Sequence, residues 1–124
     1  MLRVVRLCCT LVVALLLLAG CGGGASKDGT STKKDSSGAT TIDITFKDGK
    51  VTPQGAKVEV QAGKPIKLHI VADQPGELHV HSSPEHEFEY KAGTTDESFT
   101  IKQPGVVDME SHTLDKLVAQ LEVR

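Results

Sequence analysis

From Thr41 onward, apolar residues return at every second position: Ile42, Ile44 and Phe46, then Val58 and Val60, then Ile66, Leu68 and Ile70. A period of two sets one face of an extended chain against a core and the other toward water, so each run reads as a half-buried strand. Further runs follow at Leu78 and Val80, at His86, Phe88 and Tyr90, at Phe99 and Ile101, at Val107 and Met109, and at Leu117, Ala119, Leu121 and Val123. Turn-forming residues separate them: Asp48-Gly49, Pro53-Gln54-Gly55, Ala62-Gly63, Gln74-Pro75-Gly76, Ser83-Pro84, Ala92-Gly93 and Pro104-Gly105. Helical periodicity is absent from any long stretch, although His112 to Gln120 has room for one turn of helix before the last strand. The expectation is an all-β domain of about eight short strands, built as an antiparallel sandwich or small barrel.

The first twenty residues follow a different rule. Arg3 and Arg6 precede an uncharged, mostly apolar run from Leu7 to Leu18. As a helix this run would be about 18 Å long, short of the roughly 30 Å hydrocarbon core, so it reads as an export signal. It ends in Leu18-Ala19-Gly20-Cys21, which resembles the bacterial lipobox. That resemblance implies cleavage after Gly20 and acylation of Cys21 with fatty acids such as palmitate. Two chains suffice for stable anchoring in a bilayer, whereas one binds only marginally. The implied location is the extracytoplasmic face of the cell membrane.

Gly22 to Thr40 has almost nothing apolar to bury, so residues 21–40 are expected to be a lipidated cysteine and a flexible tether before a domain at 41–124. A coil of that length has a mean reach of about 25 Å. Composition narrows the domain's chemistry. Its core must be built from Val, Ile and Leu, because the chain has no Trp and its aromatics are Phe46, Phe88, Tyr90 and Phe99. The three cysteines are Cys8, Cys9 and Cys21, so disulfides and thiol catalysis are excluded from 41–124. Without Arg3 and Arg6, the fourteen basic residues become twelve against sixteen acidic ones, a formal charge of −4 that argues against nucleic acid.

The phrase VEVQAGKPIKLHIVADQPGELHVH, the return AGTTDESFTIKQPGVVDMESH and the final LVAQLEVR together resemble a cupredoxin-like domain across nearly all of 41–124. The resemblance implies a Greek-key β-sandwich of about seven or eight strands and, in the family's electron carriers, a copper site. A blue-copper site needs a thiolate with two imidazoles and a weak axial ligand. This chain has Glu110-Ser111-His112 where an electron-transfer cupredoxin carries a Cys followed by His and Met. Intense blue colour and a tuned one-electron potential are therefore not expected.

What remains is His79-Val80-His81, two imidazoles about 6.6 Å apart along one face of a strand whose other face carries Leu78 and Val80. Both can lean toward one ion. The resemblance places His112 near the same end of the sandwich as a third ligand, with His86 or Glu110 as additional candidates. Imidazole with carboxylate or water suits Cu(II) first and Zn(II) second. The alternative is a metal-free sandwich serving as an interaction or envelope-structural module, its histidines hydrogen-bonding across the strand ends to hold the loops together; the plainest reading of His79 and His81 is an exposed polar face.

His69 alternates with Leu68 and Ile70 and is read as structural, while Glu85, Glu87 and Glu89 are read as a solvated edge that discourages strand addition. Copper-zinc superoxide dismutases also carry a histidine pair on a β-sandwich, but the further zinc ligands and long loops are missing here. A Met-rich copper chaperone is excluded by Met109 being the sole methionine after the signal. No nucleophile elbow or phosphate-binding glycine loop is present, so a non-enzyme is expected.

Overall fold

In the computed structural model, which describes residues 30–124, every regular element is a strand. The signal segment 1–20, the acylation site Cys21 and the first part of the tether lie outside the described residues. The strands are β1 (Thr32–Lys34), β2 (Thr40–Lys47), β3 (Lys50–Thr52), β4 (Ala56–Val60), β5 (Pro65–Ala72), β6 (Gly76–Val80), β7 (His86–Tyr90), β8 (Gly93–Thr100), β9 (Gly105–Ser111) and β10 (Lys116–Val123). One sheet runs β1-β2-β5-β8, with β3 also pairing β2, and the other runs β4-β10-β9-β6-β7.

The alternating residues meet between these sheets. Ile42, Ile44, Ile66, Leu68 and Ile70 of the first sheet face Leu78, Val80, Met109 and Leu121 of the second, all essentially inaccessible to water. Fully burying each such side chain contributes roughly 1.5–3 kcal/mol against the entropy of ordering the chain. Phe46 from β2 and Tyr90 from β7 stack across the sandwich, ring centroids 4.5 Å apart and 13° from parallel. Burial raises the Tyr90 phenol pKa, while hydrogen bonding to Ser111 and Thr113 works the other way.

Four local features depart from the sequence pattern. Part of the expected tether is ordered: β1 pairs antiparallel with β2, Thr32 opposite Ile42. Its three side chains are all exposed, so apolar periodicity could not reveal it. A turn anchors it instead, with the Asp35 carboxylate accepting from the backbone N–H groups of Ser37 and Ala39. The Ser37 hydroxyl, also donating to Asp35, holds that carboxyl below the usual range.

The pairing is also not wholly antiparallel, since β2 with β5 and β4 with β10 are parallel. The chain leaves β2 for β3 and β4 before returning as β5, and alternation carries no record of that crossover. A bulge between Leu117 and Ala119 buries Val118 and Ala119 in succession, breaking the expected Leu117-Ala119 alternation. The extra carbonyl at Leu117 accepts from Gly55 N–H at 2.9 Å. Finally, His112 to Asp115 is a simple turn, closed by Asp115 N–H on the His112 carbonyl, and β10 begins at Lys116 without helix.

Gly76 opens β6 under the Tyr90 ring. A Cβ at that position would lie 2.6 Å from Tyr90 Cζ and 2.7 Å from Thr113 Oγ1. We predict that Gly76→Ala lowers stability by about 1–3 kcal/mol, the usual cost of forcing extra volume into a packed site. Urea unfolding of the two proteins measures it, and an unchanged midpoint would mean the Tyr90 ring shifts freely.

Candidate metal centre

The pleat of β6 decides which side chains face outward. Leu78 and Val80 are fully buried in the core, so His79 and His81 project from the opposite face of the sheet. The neighbouring strands are in register with them: His79 lies opposite Glu110 of β9 and opposite Glu87 of β7. Glu110, His79 and Glu87 therefore form one row across three strands. Glu85, in the loop before β7, and His112, just after β9, close in at the two ends of that row.

His79 is the buried member, 8 % exposed. Its Nδ1 is 3.0 Å from His112 Nε2, the two rings meeting edge to face at 89°. Its Nε2 is 3.2 Å from Glu85 Oε1 and 3.4 Å from Glu87 Oε1. Neither contact is aligned as a hydrogen bond, which leaves Nε2 buried without a hydrogen-bond partner. A ring nitrogen and two carboxylate oxygens so arranged favour a cation between them, because an unpaired buried polar atom otherwise costs about 1–3 kcal/mol.

His81 is half exposed. Its Nδ1 lies 3.1 Å from Glu85 Oε1 and its Nε2 3.1 Å from Glu110 Oε2. Hydrogen bonding to Glu110 raises the imidazole pKa above its ordinary value, desolvation opposes this, and the bond to Glu85 adds to it. His79, His81 and Glu85 each present a ligand atom within 4.8 Å of the others. Two donors bonded to one ion at about 2.0–2.1 Å lie roughly 3.3 Å apart in tetrahedral geometry. The 3.2 and 3.1 Å separations of Glu85 Oε1 from the two histidines match that spacing.

Of the residues singled out in the sequence, the structure brings together His79, His81, His112 and Glu110. His86 is not among them. It lies opposite Val80, on the core-facing side of β7, where its ring packs 5.1 Å from Phe99 and 6.1 Å from Phe88. The strand period puts it on the wrong face, since Val80 and its cross-strand partner share a side. Glu85 and Glu87 are the residues that sequence reading left out of the ligand set, preferring a solvated edge to an acidic metal-collecting patch. A hairpin reading of β6, Ser82-Ser83-Pro84 and β7 would have set Glu87 beside His79.

His69 stands on the outer face of the other sheet, its Nδ1 2.6 Å from Asp96 Oδ1. A surface concavity of about 590 Å³ lies there too, bordered by Lys33, Asp43, Lys67 and Asp96. It lies on the opposite sheet from His79 and His81, and the one converging set of ligand atoms found among the described residues is at those histidines and Glu85. Chemistry rather than cavity size therefore selects the candidate site.

Comparison with solved structures places this architecture. The metal-binding domain of the Streptococcus pneumoniae D39 Cu(I)-exporting P-type ATPase CopA, with Cu(I), is similar at a TM-score of 0.57 and 14% identity, over 75% of this chain and 92% of that one. An amicyanin variant in its Cu(I) form is similar at a TM-score of 0.51 and 13% identity, over 78% of this chain and 100% of that one. The fold is cupredoxin-like. A multi-copper oxidase from Pseudomonas Thermotolerans matches at a TM-score of 0.50 and 15% identity, over 69% of this chain and 29% of that one. No protein-family model matches the sequence, and no curated protein matches it.

Within the cupredoxin-like sandwich, the Glu110-Ser111-His112 stretch presents an acid to the histidines. Ser111 is turned inward, fully buried, its Oγ accepting from Leu114 N–H. Met109 is equally buried on the core side of β9. Among the described residues, the donors on this face are therefore nitrogen and oxygen, with no sulfur.

The His81 pairings define a pH dependence for the metal-free protein. Because its pKa is raised in the folded state, the stabilisation is fully present below the unfolded value of about 6.5 and is lost as pH rises through the folded value. NMR titration of the His81 ring should give a pKa above 6.5 that falls toward it in Glu110→Gln. A wild-type ring titrating at or below the reference value would contradict these pairings.

Proposed function

We propose that this chain is a lipid-anchored, extracytoplasmic metal-binding module that captures or buffers Cu(II), with Zn(II) as the weaker guest, and performs no catalysis. The observation that carries the reading is the buried, unpartnered Nε2 of His79 facing Glu85, with His81 Nδ1 at the same carboxylate. Two imidazoles and a carboxylate, with an open position for water, form a donor set suited to Cu(II) or Zn(II), and the Irving–Williams order favours copper. The structural neighbours include a metal-binding domain with Cu(I) and a multi-copper oxidase, which is consistent with a copper ligand here.

The soft, sulfur-rich environment suited to Cu(I) has no counterpart on this face. The four surrounding carboxylates, Glu77, Glu85, Glu87 and Glu110, instead favour a divalent ion, because they neutralise charge that imidazoles cannot. In this reading the acylated Cys21 holds the domain at the membrane, and the bilayer is its structural partner.

Titration of the purified chain with Cu(II) should give one tight equivalent without an intense thiolate absorption band. His79→Ala combined with His81→Ala should abolish tight binding, and calorimetry checks it; full affinity in that double variant would rule out the site. Binding should also raise thermal stability, by about 2.7 kcal/mol at one hundred times the dissociation constant.

The His79–His112 and His81–Glu110 hydrogen bonds give the metal-free alternative its own support, since they tie β6 to the β9 end without an ion. No metal-dependent rise in stability would favour that reading. Membrane anchoring is tested separately: labelled palmitate should enter the chain in cells and be lost in Cys21→Ala. Equal labelling of both would overturn Cys21 as the acylated residue, and no labelling of the wild type would overturn the anchoring.

A further inference from the structure

We infer that Glu110 and His112 are positioning residues rather than ligands: each engages the second ring nitrogen of one coordinating histidine and so turns its first nitrogen toward the ion. The inference deepens the metal reading above and rests on it. It also redistributes the site along the fold, with ligands contributed by β6 and the loop before β7, and their supports by β9 and the turn after it.

The proton positions follow from one constraint. For His79 Nε2 to present a lone pair between Glu85 and Glu87, the ring's proton must sit on Nδ1. Nδ1–H then donates to His112 Nε2 at 3.0 Å. His112 must in turn carry its own proton on Nδ1, and that atom lies 3.5 Å from Glu77 Oε1. His112 thus orients His79 through a hydrogen bond, with the Glu77 carboxylate at ion-pair distance behind it.

The second histidine repeats the logic with one residue fewer. His81 Nε2–H donates to Glu110 Oε2 at 3.1 Å, which leaves Nδ1 to face Glu85. Metal-bound histidines commonly donate their other ring N–H to a carboxylate or another acceptor, which fixes tautomer and orientation. The opposite assignment, with His112 Nε2 as a ligand beside His79 Nδ1, would put the ring proton on His79 Nε2, where neither Glu85 at 3.2 Å nor Glu87 at 3.4 Å is aligned to accept it. The orphaned nitrogen therefore decides which side of His79 the ion occupies.

The test is pulsed electron paramagnetic resonance on the full chain in detergent loaded with one equivalent of Cu(II), counting coupled imidazoles. The expected count is two, in wild type and equally in His112→Ala. Affinity should fall about 10–100-fold in His112→Ala and in Glu110→Ala, the usual cost of removing such a partner. It should recover in large part in His112→Gln and Glu110→Gln, whose side-chain carbonyl can still accept the ring N–H.

A count of three that drops to two in His112→Ala would make His112 a ligand and overturn this inference while leaving the metal reading intact. Undiminished affinity in both alanine variants, with metal-free unfolding midpoints unchanged, would overturn the positioning roles as well. Failure of the wild-type chain to bind Cu(II) at all would remove the metal reading itself.

Discussion

The register that sets Glu110, His79 and Glu87 in one row across β9, β6 and β7 fixes everything that follows at the candidate centre. It holds because Leu78 and Val80 fill the core from the other face of β6, while Met109 and Ser111 do the same from β9. A slip of one residue would drive His79 into the core and expose Leu78, exchanging apolar burial for a buried imidazole. The site is thus placed by core packing, and its polar residues follow that placement. The Phe46–Tyr90 stack ties β7 to the first sheet, and Tyr90 also closes over Gly76 at the start of β6.

Given that placement, electrostatics explains the composition of the face. Three histidines stand among four carboxylates, and His79, the one imidazole withdrawn from water, has a nitrogen with no hydrogen-bond partner. Exposed ion pairs of this kind contribute little to folding on their own, commonly under about 1 kcal/mol each. Their concentration around a buried orphan nitrogen is better understood as preparation for a cation. The ring tautomers required for binding are the same ones that the outer hydrogen bonds to His112 and Glu110 permit.

Much of this was legible in the amino-acid sequence because both the core and the histidine pair obey a period of two. The cupredoxin-like sandwich, the outward direction of His79 and His81, and the proximity of Glu110 and His112 all follow from alternation combined with a family resemblance. Features held by backbone rather than by apolar side chains were not legible. The strand at Thr32–Lys34 buries no side chain and depends on the Asp35 turn, and the bulge at Val118 breaks the alternation that a pattern reading assumes. The roles of Glu85 and Glu87 were hidden for a related reason. A run of alternating acids looks the same whether its neighbours are water or imidazoles, and only the β6–β7 pairing distinguishes the two. His86 shows the converse, an imidazole of the right type on the wrong face.

The central claim is that a sulfur-free centre built on His79, His81 and Glu85 holds one divalent ion. X-ray absorption at the copper edge of the Cu(II)-loaded chain tests it most directly, because it reads the identity and distance of the bonded atoms. The account predicts nitrogen and oxygen scatterers only, near 2.0 Å, with multiple scattering from about two imidazoles. A sulfur scatterer at about 2.3 Å, or a shell with no imidazole contribution, would contradict it.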